Sequence, residues 1–184
     1  MRKGDITQWR SAMEQFDHQA LPEVGRFERW IARGLREDPD PSFRFRFAYF
    51  GGTCRSGRVT SALICGARDQ DEDHAVRARG LESLSHKAKW YKPRTRRDRK
   101  VYSVVLECLH DPHPNVRFWA CFAAGGLRQL EAQSALRDLA GDEGLSCMGW
   151  TVAYEAGEAL KAIQGKPAWE DEKPPGKSPY PPPC

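Results

Sequence analysis

Apolar residues recur at helical spacing in two well-patterned segments of this chain. In each segment they stand at i, i+4, i+8 and i+11, which places them on one face of an α-helix. The first set is Val116, Ala120, Ala124 and Leu127, and the second is Val152, Ala156, Leu160 and Ile163. The pattern predicts two amphipathic helices whose small central residues let a partner helix come close.

Weaker forms of this pattern extend along most of the chain. They predict helices near residues 5–20, 22–37, 43–53, 57–68, 74–88, 101–110, 115–129, 131–140 and 149–164. Residues 43–47 alternate apolar side chains with arginine, which taken alone favours a strand. A helix is predicted there nevertheless, because this segment matches the helical segment that starts at residue 116.

The chain contains an internal duplication with an offset of 73 residues. Residues 38–52, which begin Asp-Pro-Asp-Pro-Ser, match residues 111–125, which begin Asp-Pro-His-Pro-Asn, without a gap. The same offset aligns Asp69 with Asp142. Separate matches in one register indicate a repeat architecture.

Each half divides again into two units, in which a loop precedes an apolar anchor residue. The anchors are Phe43, Val76, Val116 and Val152, spaced 33, 40 and 36 residues apart. Spacings of about 33–47 residues are typical of helical solenoids. An arginine follows each of the first three anchors, whereas Ala153 follows the fourth.

The repeat resembles the HEAT family, in the short form also found in phycobilisome-lyase-type repeats. The resemblance covers roughly residues 22–164 and rests on Val76-Arg77, on Val116-Arg117 with Ala120, and on Val152 with Glu155-Ala156 and Leu160. It implies an all-α fold, a right-handed α-solenoid of about four helix pairs in a domain at 1–164. Residues 165–184 hold seven of the thirteen prolines and predict a flexible or extended tail.

Two kinds of polar residue recur around the anchors. Ser42 and Asn115 follow a proline and are predicted to cap the next helix. In HEAT-like repeats the arginine after the anchor usually pairs with a loop aspartate and builds a ladder along the stack. The predicted pairs are Arg44 with Asp38 or Asp40, Arg77 with Asp71 or Asp73, and Arg117 with Asp111.

Large aromatic side chains recur opposite the apolar stripe, where a surface helix is normally polar. They are either buried between helices or form a partly exposed groove rimmed by charged residues, a composition typical of binding hot spots. In the solenoids this chain resembles, the second helix of each pair lines the binding surface. The predicted partner-binding residues are Phe45, Arg46, Tyr49, Arg79, Glu82, Phe118, Trp119, Phe122, Tyr154, Glu155 and Glu158.

A basic segment at residues 87–100 lies where the unit spacing lengthens to 40, and it is predicted to be an extended loop. Three roles are open for it: a solvated loop, a dock for an acidic protein, or a contact to nucleic acid in which two aromatic rings stack on bases. Its candidate residues are Lys87, Lys89, Trp90, Tyr91, Lys92, Arg94, Arg96, Arg97, Arg99 and Lys100.

Composition narrows the class of protein. The net charge of +4 is modest, and the chain has no long uncharged apolar run or apolar leader. Its six cysteines include no CxxC pair, so we predict reduced thiols and a cytoplasmic setting. Cys108, His110 and His113 lack an evident fourth metal ligand, and no catalytic motif appears, so we predict no metal, no cofactor and no enzyme activity.

Binding of another protein is therefore the favoured function, in a bacterial inhibitor or immunity-type protein with one dedicated partner, or in an adaptor. Some HEAT-like proteins are DNA glycosylases, and Trp119 and Arg46 stand in positions that would suit DNA. Nucleic-acid binding through the basic segment is the alternative. A chromophore-lyase role follows only from the repeat subtype and ranks last.

Overall fold

A computed structural model of the chain describes residues 24–87 and 96–168. These ranges form eight α-helices: α1 (Val24–Glu37), α2 (Pro41–Gly51), α3 (Gly57–Arg68), α4 (His74–His86), α5 (Arg96–Cys108), α6 (Pro114–Gly126), α7 (Gln133–Asp138) and α8 (Val152–Ile163). Within them the only β-type pairing is an antiparallel bridge between Leu145 and Thr151. The helix predicted at 5–20 lies outside the described residues.

The helices alternate between two layers. The second helices α2, α4, α6 and α8 pack side by side in chain order, and the first helices α1, α3 and α5 do the same in the other layer. Each first helix also packs on its own second helix, including α7 on α8. This stacking of consecutive pairs confirms a helical solenoid of four pairs.

The predicted apolar stripes lie in the core. Val116, Ala120, Val152 and Ala156 are completely buried and belong to one continuous core. Burial of a valine or leucine side chain contributes about 1.5–3 kcal/mol, whereas the alanines add little burial but allow α6 and α8 to approach closely. The stripe read from the sequence is therefore the face that joins neighbouring pairs.

Helix α2 begins through a set of contacts that α6 repeats 73 residues later. The backbone N–H of Asp40 donates to Asp38 Oδ1 at 3.0 Å, and the N–H of His113 donates to Asp111 Oδ1 at 2.9 Å. The Asp40 carboxylate then accepts from the N–H of Ser42, as the His113 ring does from that of Asn115. The duplication is thus also a duplication of local structure.

The predicted caps Ser42 and Asn115 are wrong by two residues, since Asp40 and His113 occupy the N-cap positions. The physical reason is that Pro41 and Pro114 take the first helical position, where proline's missing N–H costs nothing. A proline at that position requires the cap to precede it. The Asn115 side chain instead accepts from the N–H of Cys147 at 3.1 Å.

Two other predicted elements differ from the structure. The helix predicted at 131–140 contains only α7, flanked by short 3-10 turns at Leu130–Ala132 and Leu139–Gly141. The loop predicted for the whole basic segment is also wrong, because α5 already begins at Arg96. Residues 43–47, with their strand-like alternation, are helical within α2, as the duplication predicted.

Candidate interaction surface

A ladder of arginines joins consecutive pairs of the solenoid. Arg44 Nε and Nη2 donate to Glu72, each at 2.7 Å, while Nη1 donates to the Asp38 carbonyl at 2.6 Å. Arg117 Nε donates to Asp142 Oδ2 at 2.7 Å, and its Nη1 donates to the Asp111 carbonyl at 2.8 Å. Each guanidinium therefore binds the carbonyl of its own loop and the carboxylate of the next.

The ladder was predicted, but its partners were assigned one loop too early. Arg77 pairs with Asp111 rather than with Asp71 or Asp73, and its Nε donates to the Ala67 carbonyl at 3.2 Å. The arginine side chain is long enough to cross to the following unit. There its two N–H groups bind a buried carboxylate that would otherwise lack a charged partner. The ladder thus joins each unit to the unit that follows it in the chain.

The ion pairs also shift the pKa of their members. Hydrogen bonding to Glu72 raises the pKa of Arg44. Hydrogen bonding from Arg117 lowers the pKa of Asp142, against the opposing effect of burial. Both groups are therefore held in their charged forms.

The second-helix layer carries a cluster of aromatic and charged side chains, here called the aromatic face: Phe45, Tyr49, Arg79, Glu82, His86, Trp119 and Phe122. At one end the Arg79 guanidinium lies over two rings of α2, with Cζ 4.6 Å from the Phe45 centroid and 5.6 Å from that of Tyr49. Arg79 also forms an ion pair with Glu82. These contacts tie α2 and α4 together across the surface.

Burial raises the pKa of Glu82, and the opposing charges of Arg79 and then His86 only partly offset it. Arg79 Nε is buried and has no hydrogen-bond partner among the described residues. Stacking on two rings compensates a guanidinium less completely than hydrogen bonds do, because a cation–π contact supplies about 0.5–2 kcal/mol. This end of the face therefore combines a fixed cation with partly desolvated polar groups.

At its other end the face continues onto α6. The His86 ring meets the Phe122 ring edge-on at 6.2 Å, and Phe122 meets Trp119 at 5.3 Å and 78°. His86 was not among the sequence candidates. Its position four residues after Glu82, on the same side of α4, was the signal that could have found it.

The exposure of these side chains differs. Tyr49 is 56% exposed and Arg46 and His86 are also exposed, whereas Phe45, Trp119 and Phe122 are half-buried. Arg46 lies 5.3 Å from the ring centroid of Phe43, at the border of the face. The face is thus anchored in the fold and yet open to solvent at Tyr49 on α2 and at His86 on α4.

Three of the predicted partner-binding residues are buried. Phe118 is inside the core, because α6 has a neighbouring helix on both sides. Glu155 is buried, and its charge helps to raise the pKa of the Cys121 thiol in α6, an effect second to that of burial. Glu158 is buried and accepts from Lys161 Nζ at 2.6 Å. None of the three lies on an exposed surface.

Tyr154 of α8 has an intermediate position. It is half-buried, and its ring packs 4.8 Å from that of Trp150, which precedes α8. Trp150 is a contact that the sequence patterns did not single out, since it comes before the apolar stripe that starts at Val152. Tyr154 therefore stays a proposed contact at the edge of the aromatic face.

The residues of the basic segment have different surroundings in the structure. Lys87 is 1% exposed, and its Nζ donates to the Cys54 carbonyl at 2.6 Å, so its inclusion among surface residues is wrong. The lysine closes α4 and turns its long stem inward between neighbouring elements. Arg99 and Lys100 are exposed on the first turns of α5. Lys89, Trp90, Tyr91, Lys92 and Arg94 lie outside the described residues, as do the side chains of Arg96 and Arg97.

The polar residues considered for metal binding have other surroundings. Cys108 is buried, which raises the pKa of its thiol to about 12, and its Sγ lies 3.5 Å from the Ala67 carbonyl. His113 caps α6, and its ring stacks on that of His74 at 3.7 Å. In the part of the chain that the structure describes, no three His, Cys, Asp or Glu side chains are grouped to hold a metal ion. None of the described helices combines the length and apolar character that a membrane span requires.

Comparison with known proteins supports the repeat architecture. A search among curated proteins finds no relative that matches this chain. A family model of HEAT repeats matches residues 60–161, from α3 through most of α8, which is more than half of the sequence. The matched region includes two of the three ladder arginines and most of the aromatic face. The chain belongs to the HEAT repeat family.

Proposed function

We propose that this chain is a non-catalytic protein-binding module and that the aromatic face binds its partner. HEAT repeats generally mediate interactions between proteins, which supports the first part. Within that class we favour one dedicated partner, as for an inhibitor or an immunity-type protein, over a general adaptor. The described residues form one connected aromatic surface on the second helices, and this suits a single target.

The observation that carries the proposal is the exposure of Tyr49 beside a fixed arginine. Tyr49 presents 56% of its surface to solvent although its ring contacts the Arg79 guanidinium. Tyrosine, tryptophan and arginine are the residues most often found at interface hot spots, where truncation costs about 2 kcal/mol or more. A ring held in place before binding also loses little conformational entropy on association.

The charges on the face favour an acidic partner. Arg46 is exposed at the border of the face, whereas the Glu82 side chain is only 14% exposed and is paired with Arg79. The accessible charge is therefore that of the arginine. Complementary charge would orient the partner and raise the association rate, with a weaker effect as salt increases.

The experiment is capture of the partner from the native source with the tagged full-length chain, followed by affinity measurement with the purified partner. Tyr49→Ala should weaken binding about 30-fold, which corresponds to about 2 kcal/mol. Leu145→Ala is the matched control, because Leu145 is 57% exposed but lies in the loop before α8. Equal affinity of the two variants, or no partner at all, would contradict the proposal.

Nucleic-acid binding through the basic segment is the second candidate function. It is favoured by the exposure of Arg99 and Lys100 at the start of α5, next to the other cations of the segment. Duplex and single-stranded DNA and RNA would be titrated at several salt concentrations. The hypothesis expects a steep loss of affinity with salt and a collapse in the Arg94→Ala, Arg96→Ala, Arg97→Ala variant. Unchanged affinity in that variant would exclude it.

A further inference from the structure

The sequence beyond the described residues carries the chemistry of a ligand for aromatic surfaces. Residues 173–183 read Lys-Pro-Pro-Gly-Lys-Ser-Pro-Tyr-Pro-Pro-Pro and include six prolines. Proline-rich segments favour the polyproline II helix, and protein modules bind that helix in grooves lined with aromatic side chains. We propose that this segment, here called the proline segment, binds the aromatic face of its own chain.

The aromatic face has the side chains that such a ligand requires. Trp119 and Phe122 are half-buried rings that meet at 78°, and Tyr49 is largely exposed at the far end. Proline rings pack on aromatic faces without the loss of side-chain entropy that a flexible ligand would suffer, because polyproline II is already extended. The rings therefore suit a row of prolines that crosses from one second helix to the next.

The residues after α8 leave from the layer of second helices, which also carries the aromatic face. Gly165 has φ +72 and its N–H donates to the Ala162 carbonyl at 3.1 Å, while the N–H of Lys166 donates to the Lys161 carbonyl at 3.0 Å. These two bonds form the left-handed cap that ends a helix sharply. Residues 166–168 therefore follow directly on a second helix, and α8 packs on α6, which carries part of the aromatic face.

The segment is long enough to cross that layer. Adjacent packed helices lie about 8–10 Å apart, so the three steps from α8 to α2 cover about 24–30 Å. Polyproline II extends by about 3.1 Å per residue, so a chain extended in this way from residue 169 to residue 179 would span about 34 Å. Pro179 and the prolines after it can therefore reach Tyr49, and Pro174 can reach the rings of α6.

Attachment to the same chain favours this occupant over a free peptide. A short tether gives an effective concentration in the millimolar range, so even a weak contact is populated. A partner protein that uses the aromatic face must then displace the proline segment. The inference rests on the same face as the proposed function, but it makes a claim that needs no partner to test.

The experiment places a nitroxide label on Cys184 of the full-length chain. Cys65→Ser and Cys147→Ser remove the other accessible thiols, since Cys54, Cys108 and Cys121 are buried. The proposal expects strong loss of NMR signal intensity at the Trp119 indole N–H and at the amides around Tyr49. Signal loss confined to the end of α8 would overturn it.

Two variants identify the contact. Replacing Pro179, Pro181, Pro182 and Pro183 with glycine should restore the lost intensity, because the segment then loses its preformed extended shape. Tyr49→Ala should also restore it, whereas the matched Leu145→Ala variant should not. Persistence of the signal loss in the glycine variant would overturn the proposal.

A mixed sample distinguishes the source of the segment. Isotope-labelled chain without nitroxide is combined with unlabelled chain that carries it. Signal loss that appears equally in this mixture comes from a second copy and contradicts binding within one chain. If the proline segment does not bind but a partner protein still binds in a Tyr49-dependent way, the proposed function stands. The two proposals can therefore be contradicted separately.

Discussion

At the scale of single residues, Arg77 and Asp111 are the most deeply buried ion pair in the described part of the chain, with side chains 3% and 1% exposed. Removal of one partner would leave the other charge inside the protein. We expect Arg77→Met to lower the free energy of unfolding by about 3–5 kcal/mol in urea denaturation. Asp111→Leu in the same chain should recover part of that loss, since the uncompensated carboxylate is then absent.

Arg68 provides the control for this prediction. It pairs with Glu107, but the two side chains are 39% and 50% exposed. Water screens the pair, so Arg68→Met should cost at most about 1 kcal/mol. If the Arg77 and Arg68 variants lost equal stability, burial would not be what makes the ladder important.

His113 gives the fold a pH dependence. Its pKa is lowered, first because burial disfavours the imidazolium and then because of the charge of the neighbouring His74, while Arg77 and Arg117 lower it further and Asp111 opposes them. The unfolded chain therefore takes up this proton at a higher pH than the folded chain does. Stability should fall as the pH decreases from about 7 through the ordinary histidine value near 6.5 and level off below the lowered pKa.

His113→Asn separates this titration from the capping role. Asparagine caps helices well and does not titrate, so it should keep α6 while flattening the change in urea midpoint between pH 7.5 and 5. Asp142 acts in another window, because its contribution is lost only as the pH falls through its ordinary value of 3.8 and below. An unchanged slope in the His113→Asn variant would refute the assignment.

At the scale of helices and loops, the beginning of α2 depends on Asp40 rather than on Ser42. Asp40→Ala removes the acceptor for the N–H of Ser42 and should destabilise the protein by about 1 kcal/mol in urea denaturation. Ser42→Ala is the comparison, because Ser42 is exposed and donates to the cap only through its backbone. Its effect should stay within about 0.5 kcal/mol. A larger loss of stability for Ser42→Ala would contradict Asp40 as the cap and support Ser42, as the sequence predicted.

The sequence predicted those elements whose signals are local. The limits of α3 agree with the prediction, since Ser56 caps it and an apolar stripe fills it. The early start of α5 was missed because residues 96–100 are all charged and give no apolar period. Charge alone does not distinguish a solvated helical turn from a loop.

Contacts between units were harder to predict than the units themselves. The arginine after each anchor is visible in the sequence, but its carboxylate lies 25 to 34 residues further along the chain. The burial of Lys87 depends likewise on the Cys54 carbonyl, which no spacing rule connects to it. The aromatic residues of α2 and α6 could be placed on the second helices, whereas the inward turn of Phe118 required the positions of both neighbours.

At the scale of the whole molecule, each pair of helices contacts mainly the pairs before and after it. Stability in such solenoids is approximately a sum of units and nearest-neighbour terms. Arg117→Met should therefore loosen the loop that Asp142 anchors and speed amide exchange there and in α8. Exchange in α1 and α2 should not change. Uniform acceleration along the chain would indicate a cooperative fold instead.

The arginine ladder has a direction, since every guanidinium reaches toward the following unit. Helix α8 carries Ala153 where an arginine follows the earlier anchors, so it offers no such group to a neighbour stacked beyond it. Repeat proteins that present both complementary ends can assemble head to tail into open filaments. A copy placed against α8 would lack the contact that holds the other units together. The ladder that joins the described units therefore has no arginine donor at α8.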